Sequence, residues 1–266
     1  MYVRSLGSGH PVVFLHGMPT NGSIWGPIVE RMSAEFRCIV VDLPHDFRDL
    51  AAVAVALDEV RRQHGIRKWH LVGHDAGCAL AVHYAHRFPA SAGRMGLLSP
   101  SLFPELKPFY LFEVLRQPIL GEMLAPAVNS LFWNVAMPRA LAANDQRGRL
   151  IAELRGPFRG LRGSWRLMKW LRWGKPAEVL AAMPELLRAI DTPAAIFHGL
   201  HDPAVPAVFA QRASELLRHS QLTLLSAGHF LPLHEPAAIS RELQRFFAVP
   251  EEAETQPLAA AAGIPV

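Results

Sequence analysis

Apolar residues along this chain fall into two alternating rhythms. Short runs at Pro11–Leu15, Arg37–Leu43, Trp69–Val72 and Arg94–Leu98 have the length and branched-chain content of buried strands. Between them lie segments with helical spacing. Gly22–Glu35 carries Trp25, Ile28, Val29 and Met32 on one face. Asp49–His64 carries Leu50, Val53, Leu57 and Val60 and stops at Gly65; Ala76–Phe88 stops before Pro89. From about Ser101 to Ile190 the pattern is helical only. Strands return at Pro193–His198 and Gln221–Leu225, with helices over Pro206–Arg218 and Pro236–Phe247. Strand–helix alternation predicts an α/β fold, a mostly parallel sheet flanked by helices. The helical block predicts an inserted cap over the sheet's C-terminal edge, where such sheets place their sites. The expected division is 1–100 and 191–249 for the core, 101–190 for the helical cap and 250–266 for a flexible tail rich in Ala, Glu and Pro.

Composition narrows the class. The chain has 266 residues and is 50% hydrophobic, enough for one large domain. Cys38 and Cys78 each lie in an apolar run and form no CxxC pair, so buried thiols in a reducing compartment are expected. Neither a signal peptide nor a bilayer-length apolar run is visible, and a cytoplasmic location is expected. The pI is 9.4. Eight arginines and two lysines between Met137 and Lys175 face only Asp145 and Glu153. Such a segment steers an anion or forms a solvated helical face with arginine stems over apolar surface, and the second reading is preferred. No recognition motif accompanies the charge, so nucleic acid is not an expected partner; nor is a membrane. A small-molecule substrate is expected, and a homodimer is left open. No phosphate-binding loop or Cys/His ligand cluster occurs, so neither a metal nor an organic cofactor is implied.

The chemistry concentrates in four places. Gly73-His74-Asp75-Ala76-Gly77 lies between a strand and a helix and fits a nucleophile elbow, whose small flanking residues are a steric requirement. His16-Gly17-Met18-Pro19 follows the first strong strand, and its loop can offer the Met18 N–H to an oxyanion together with that of Ala76. Asp202 falls after the first strand beyond the helical block, and His229 falls in a loop after the last strand. A lone Asp is usually a turn former or helix cap. The order nucleophile, acid, histidine outweighs that reading.

From about residue 9 to 248 the chain resembles the α/β-hydrolase superfamily, and within it the branch with an HGxP loop and a GHDxG elbow. That branch holds epoxide hydrolases and haloalkane and haloacetate dehalogenases. The resemblance implies Asp75 as nucleophile, His229 as base and Asp202 as its orienting acid. A carboxylate is ionised near neutral pH and attacks saturated carbon to give an alkyl ester, whereas attack on an ordinary ester would give an uphill anhydride. The sequence departs from each pattern in turn. Haloalkane dehalogenases typically place tryptophan after the nucleophile and many have asparagine in the HGxP loop; haloacetate dehalogenases place arginine after the nucleophile. Here Ala76 and Met18 stand instead. Epoxide hydrolases normally use two cap tyrosines, and only Tyr110 lies near the cap.

Candidate substrate contacts are Tyr110 and the indoles of Trp133 and Trp170, with core packing as their alternative, and His16, with a structural role as its alternative. After Asp42-Leu43-Pro44, the segment His45-Asp46-Phe47 replaces the usual glycine-rich loop, and only Tyr2–Leu6 could supply a hairpin before the first HG strand. An epoxide-hydrolase-like activity is the leading expectation. A dehalogenase, a cofactor-free lactone-opening or rearrangement enzyme, and a non-catalytic ligand-binding protein are the alternatives.

Overall fold

A computed structural model describes residues 1–44, 49–107, 110–141, 147–173 and 176–248, with backbone alone at Tyr110, Trp173 and Pro176. The segment 45–48 and the tail 250–266 lie outside the described residues. Among the described residues, seven strands form one sheet in the order β1-β3-β2-β4-β5-β6-β7. They are β1 (Tyr2–Leu6), β2 (His10–Leu15), β3 (Phe36–Asp42), β4 (Trp69–His74), β5 (Ala92–Leu98), β6 (Ala194–Gly199) and β7 (Ser220–Leu225). Only β1 runs antiparallel to its neighbour, pairing Tyr2 with Asp42 and Leu6 with Cys38. Tyr2–Leu6 therefore does supply the extra edge strand.

Helices of the core are α1 (Gly26–Met32), α2 (Leu50–Gln63), α3 (Ala76–Arg87), α11 (Ala207–Leu216), α12 (Leu231–His234) and α13 (Pro236–Ala248); between β5 and β6 lie α4 (Tyr110–Arg116), α5 (Leu120–Leu131), α6 (Met137–Ala140), α7 (Arg147–Arg155), α8 (Gly160–Trp173), α9 (Pro176–Val179) and α10 (Met183–Ala189). The 22–35 segment is a 3-10 turn, Gly22–Trp25, followed by α1. Pro27 at the start of α1 has no amide N–H to donate, which suits a helix beginning there. Asp49 caps α2 by accepting from the N–H groups of Ala51 and Ala52, at 2.9 and 3.2 Å.

Alternation along each strand divides the core between the two faces of the sheet. Val12, Phe14, Val40, Val72 and Phe197 pack on one face with α1, α13 and the helical insertion. Val13, Leu15, Ile39, Val41, Leu71 and Ile196 pack on the other with α2, α3, α10 and α11. Both cysteines are buried and free, and burial pushes the Cys38 thiol up to about 12. Within the insertion, Phe158 stacks between Trp133 and Trp170 with ring centroids 5.7 and 5.6 Å apart. Arg172 ties the insertion together, donating to Glu122 and to the carbonyls of Leu115 and Gln117. No described helix is long and apolar enough to cross a membrane.

Candidate active site

Asp75 occupies the turn between β4 and α3 with φ 51° and ψ −120°, a conformation that a side chain rarely adopts. Three backbone bonds hold it there. Its N–H donates to Leu98 O at 3.0 Å, and its own carbonyl accepts from Cys78 and Ser101 N–H at 3.1 and 3.3 Å. The flanking glycines are needed for space. A Cβ on Gly77 would meet Leu15 O at 2.1 Å, and one on Gly17 would meet Oδ2 of Asp75 at 2.6 Å.

The two carboxylate oxygens of Asp75 have separate partners. Oδ2 accepts from the Met18 N–H at 3.0 Å, and Oδ1 accepts from the Ser101 hydroxyl. Ala76 is the first residue of α3, so its N–H has no partner within its own helix. One expected oxyanion donor, the Met18 N–H, thus holds Oδ2, and Oδ1 is left toward Ser101.

His229 is buried, and its Nδ1 donates to Oδ2 of Asp202 at 2.8 Å. That bond leaves Nε2 without its proton in the neutral ring. Oδ1 of Asp202 accepts from Ala204 and Val205 N–H at 2.8 and 2.9 Å. Asp202 therefore starts a turn and orients the histidine at once. Burial alone would lower the His229 pKa, but the Asp202 hydrogen bond and the charges of Asp202 and Asp75 leave it raised above the ordinary 6.5. Burial works against the Asp202 charge too, yet the His229 bond and the two backbone N–H groups leave its pKa below 3.8.

Two further residues pin the histidine loop. The His229 carbonyl accepts from His74 Nε2 at 3.0 Å and from Ser99 Oγ at 3.1 Å. His74 is fully enclosed; burial, then the His229 charge, holds its pKa down at about 4, so it is a neutral donor. Neither Ser99 nor Ser101 carries a motif that marks it in the sequence. Both lie just past the end of β5, beside β4, so the pairing of those strands is the signal that would have found them.

Asp75, Ala76, Met18, Ser101 and His229 line one cavity of about 200 Å³. Its other walls are mostly apolar and include Phe112, Leu171, Leu180 and Val205, together with two cations, Lys107 and Arg116. Three of the four expected substrate contacts, His16, Trp133 and Trp170, do not line it. His16 spans two backbones, with Nδ1 2.9 Å from Gly17 O and Nε2 accepting from Leu43 N–H at 2.9 Å, so both ring nitrogens are engaged in holding the loop. Trp133 and Trp170 are buried in the aromatic stack because the insertion needs large apolar surface for its own core. Tyr110 begins α4, but its side chain lies outside the described residues. Tyr84 donates to Asp58 at 2.8 Å between α2 and α3, away from the cavity, and Tyr2 is exposed on the edge strand. Several arginines of the basic segment are engaged on the insertion itself, Arg149 with Glu153, Arg155 with Asn134 and Arg166 with Pro157 O.

A mostly parallel sheet carrying an acidic residue at its elbow and a histidine–aspartate pair at the same edge has the architecture of an α/β hydrolase. A family model described as an alpha/beta hydrolase family matches residues 12–242, and the chain belongs to that family. It is 30% identical over 274 residues to a haloalkane dehalogenase from Mesorhizobium japonicum, covering 91% of this chain and 85% of that one. It is 25% identical over 280 residues to a pimeloyl-[acyl-carrier protein] methyl ester esterase from Xanthomonas oryzae pv. oryzae, covering 93% and 99%. Among solved structures, a putative ancestral haloalkane dehalogenase superposes with a TM-score of 0.77 at 25% identity, covering 93% and 94%. The haloalkane dehalogenase DbeA from Bradyrhizobium elkani gives 0.76 at 26% identity, covering 92% and 93%. The protein is a hydrolase of this fold, with dehalogenases among its relatives.

Proposed function

We propose that this hydrolase displaces halide from a saturated carbon through a covalent alkyl ester on Asp75. One observation carries the reading: the two oxygens of Asp75 are differentiated, Oδ2 on the Met18 N–H and Oδ1 on Ser101. Oδ1 attacks carbon and halide leaves with the bonding pair. Oδ2 becomes the ester carbonyl oxygen, already held by the Met18 N–H, with the helix-start N–H of Ala76 as the second donor the mechanism uses. His229 takes a proton from water through Nε2, and that water adds to the ester carbon Cγ. The negative charge collects on Oδ2 between the two donors, then returns to expel the product alkoxide, which leaves as the alcohol with the proton from His229. Ser101 is a positioning residue that fixes the carboxylate plane until attack.

Halide is preferred over epoxide as the leaving group on physical grounds. An opened epoxide leaves an alkoxide that must be protonated; among the described lining residues there is no tyrosine or tryptophan, and the one ammonium, Lys107, stands exposed. Halide departs without a proton. Ala76 brings no indole N–H to hold it, so bromide and iodide are expected to leave much faster than chloride. The 30% identity to a haloalkane dehalogenase supports the same choice. Aspartate in place of a hydroxyl nucleophile speaks against the ester chemistry named for the Xanthomonas relative.

Mass spectrometry of His229→Gln incubated with bromoalkanes, haloacids and epoxides tests the mechanism. Removing the base stalls the second step, so the alkyl adduct is expected on the Asp75 peptide. No adduct across the panel, with the wild-type protein also inactive on it, would overturn the reading.

A further inference from the structure

Lys107 and Arg116 stand out in the cavity. Every other described residue lining it is apolar, a hydroxyl or part of the proposed catalytic group. Arg116 is half-buried and lies one helical turn beyond Phe112 on α4, so both side chains reach the same wall. Lys107 is exposed, at the rim formed by the loop that precedes α4. Among the described residues neither forms an ion pair or a side-chain hydrogen bond. The contrast is with Arg172, whose guanidinium is engaged by Glu122 and two carbonyls. Those carbonyls belong to Leu115 and Gln117, on either side of Arg116. The backbone that presents Arg116 is therefore fixed, while its own charge has no ion-pair partner among the described residues.

An arginine near a helix C-terminus is favoured by the helix dipole wherever it points. What the dipole does not explain is a guanidinium, with five donors, aimed into a mostly apolar cavity beside a second cation. Nor do these cations serve the nucleophile, because neither ion-pairs with Asp75.

We infer that Lys107 and Arg116 anchor a carboxylate on the substrate, which is an alkanoic acid whose electrophilic carbon lies at a distance from its acid group. The inference rests on this cavity being the substrate site of the reading above. Apolar side chains such as Leu106, Leu171, Val179 and Leu180 line the same cavity and suit the intervening alkyl chain. The anchor has an electrostatic purpose as well. A carboxylate entering near the Asp75 carboxylate meets like-charge repulsion, which the two lining cations offset.

Calorimetric titration at low salt with hexanoate and with 1-hexanol tests the anchor without requiring turnover. Hexanoate is expected to bind the wild-type protein roughly tenfold or more tighter than hexanol, the size of a hydrogen bond to a charged group. Arg116→Gln should remove most of that preference, and Lys107→Gln, at the exposed rim, roughly twofold to fivefold of it. The double variant should bind the two ligands alike. Equal binding by the wild-type protein, a preference that survives in the double variant, or no hexanoate binding at millimolar concentration would each overturn the anchor. Bromide release from 6-bromohexanoate and 1-bromohexane is read separately. If neither releases bromide or alkylates Asp75 while the hexanoate preference holds, the displacement chemistry fails and the anchor stands.

Discussion

His74 donates from Nε2 to the backbone carbonyl of His229 at 3.0 Å, so the residue that precedes Asp75 holds the loop that carries the histidine. Ser99 donates to the same carbonyl at 3.1 Å. With that carbonyl pinned and Nδ1 bound to Asp202, the imidazole is fixed from two directions. His74→Phe fills similar volume but removes one donor. It is expected to lower the melting temperature, at a cost of ~0.5–1.5 kcal/mol for the lost hydrogen bond, since Ser99 Oγ and Leu231 N–H still donate to that carbonyl. Turnover should fall roughly tenfold, corresponding to about 1.4 kcal/mol of lost transition-state alignment. Calorimetric unfolding and steady-state bromide release check the two effects. Unchanged turnover in a folded variant would contradict the positioning role.

The pH dependence follows from the raised pKa of His229. Under the proposed mechanism His229 must be neutral to act as base, so ester hydrolysis is expected to rise with pH through a midpoint above 6.5. Asp202→Asn removes the hydrogen-bonded charge that raises the histidine, so the midpoint should fall. Single-turnover decay of the alkyl ester in proteins that retain His229, measured against pH, reads both. A midpoint that stays put in the variant would show that Asp202 does not tune the base.

Stability should show the same pair with opposite signs. Asp202 has a lowered pKa, so its contribution is present above 3.8 and is lost as pH falls through the lower folded value. His229 has a raised pKa, so its contribution is full below 6.5 and is lost as pH rises through the higher folded value. Denaturant melts across pH are expected to show both losses in the wild-type protein, and Ala at both positions should flatten them.

Gly17→Ala would place a methyl 2.6 Å from Oδ2 of Asp75 and 2.5 Å from its Cβ. The carboxylate must then leave the Met18 N–H. Alkylation is expected to slow by roughly 100-fold, about 2.7 kcal/mol, comparable to losing an oxyanion donor. Adduct formation measured in the His229→Gln background isolates that step, and circular dichroism shows whether the fold persists.

Trp133→Phe should separate packing from substrate contact. Trp133 stacks on Phe158 in the insertion, and its buried indole N–H has no acceptor among the described residues. Phe keeps the apolar ring, so KM is expected to stay within about twofold, whereas Trp133→Ala should destabilise by ~3–5 kcal/mol. A large KM change in the Phe variant would return Trp133 to the list of substrate contacts.

Much of the architecture was legible because the chemistry is local. Strand-length apolar runs ending in Gly73, Gly199 or the His16-Gly17 pair reveal both the sheet and its functional edge. The elbow is readable since Gly73 and Gly77 tolerate no side chain there. The cavity wall was less legible. His16, Trp133 and Trp170 have the right chemistry for substrate contact, but their orientation depends on packing that a one-dimensional pattern does not encode. Lys107 and Arg116 were hidden behind the stronger arginine signal further along the chain, parts of which turn inward to Glu122 or lie along their own helices. Ser99 and Ser101 acquire meaning only once β5 lies beside β4.

The resting position of Oδ2 on the Met18 N–H sets which oxygen atoms travel. Under the proposed mechanism Oδ1 leaves with the product, and the oxygen of water refills its position on Cγ. In a single turnover in water enriched with oxygen-18, the heavy isotope is therefore expected in Asp75 and not in the released alcohol. Because the Met18 N–H retains Oδ2, the newly acquired atom becomes the next attacking one, and the second alcohol formed carries the label. Each product is thus built with oxygen that the protein stored during the cycle before.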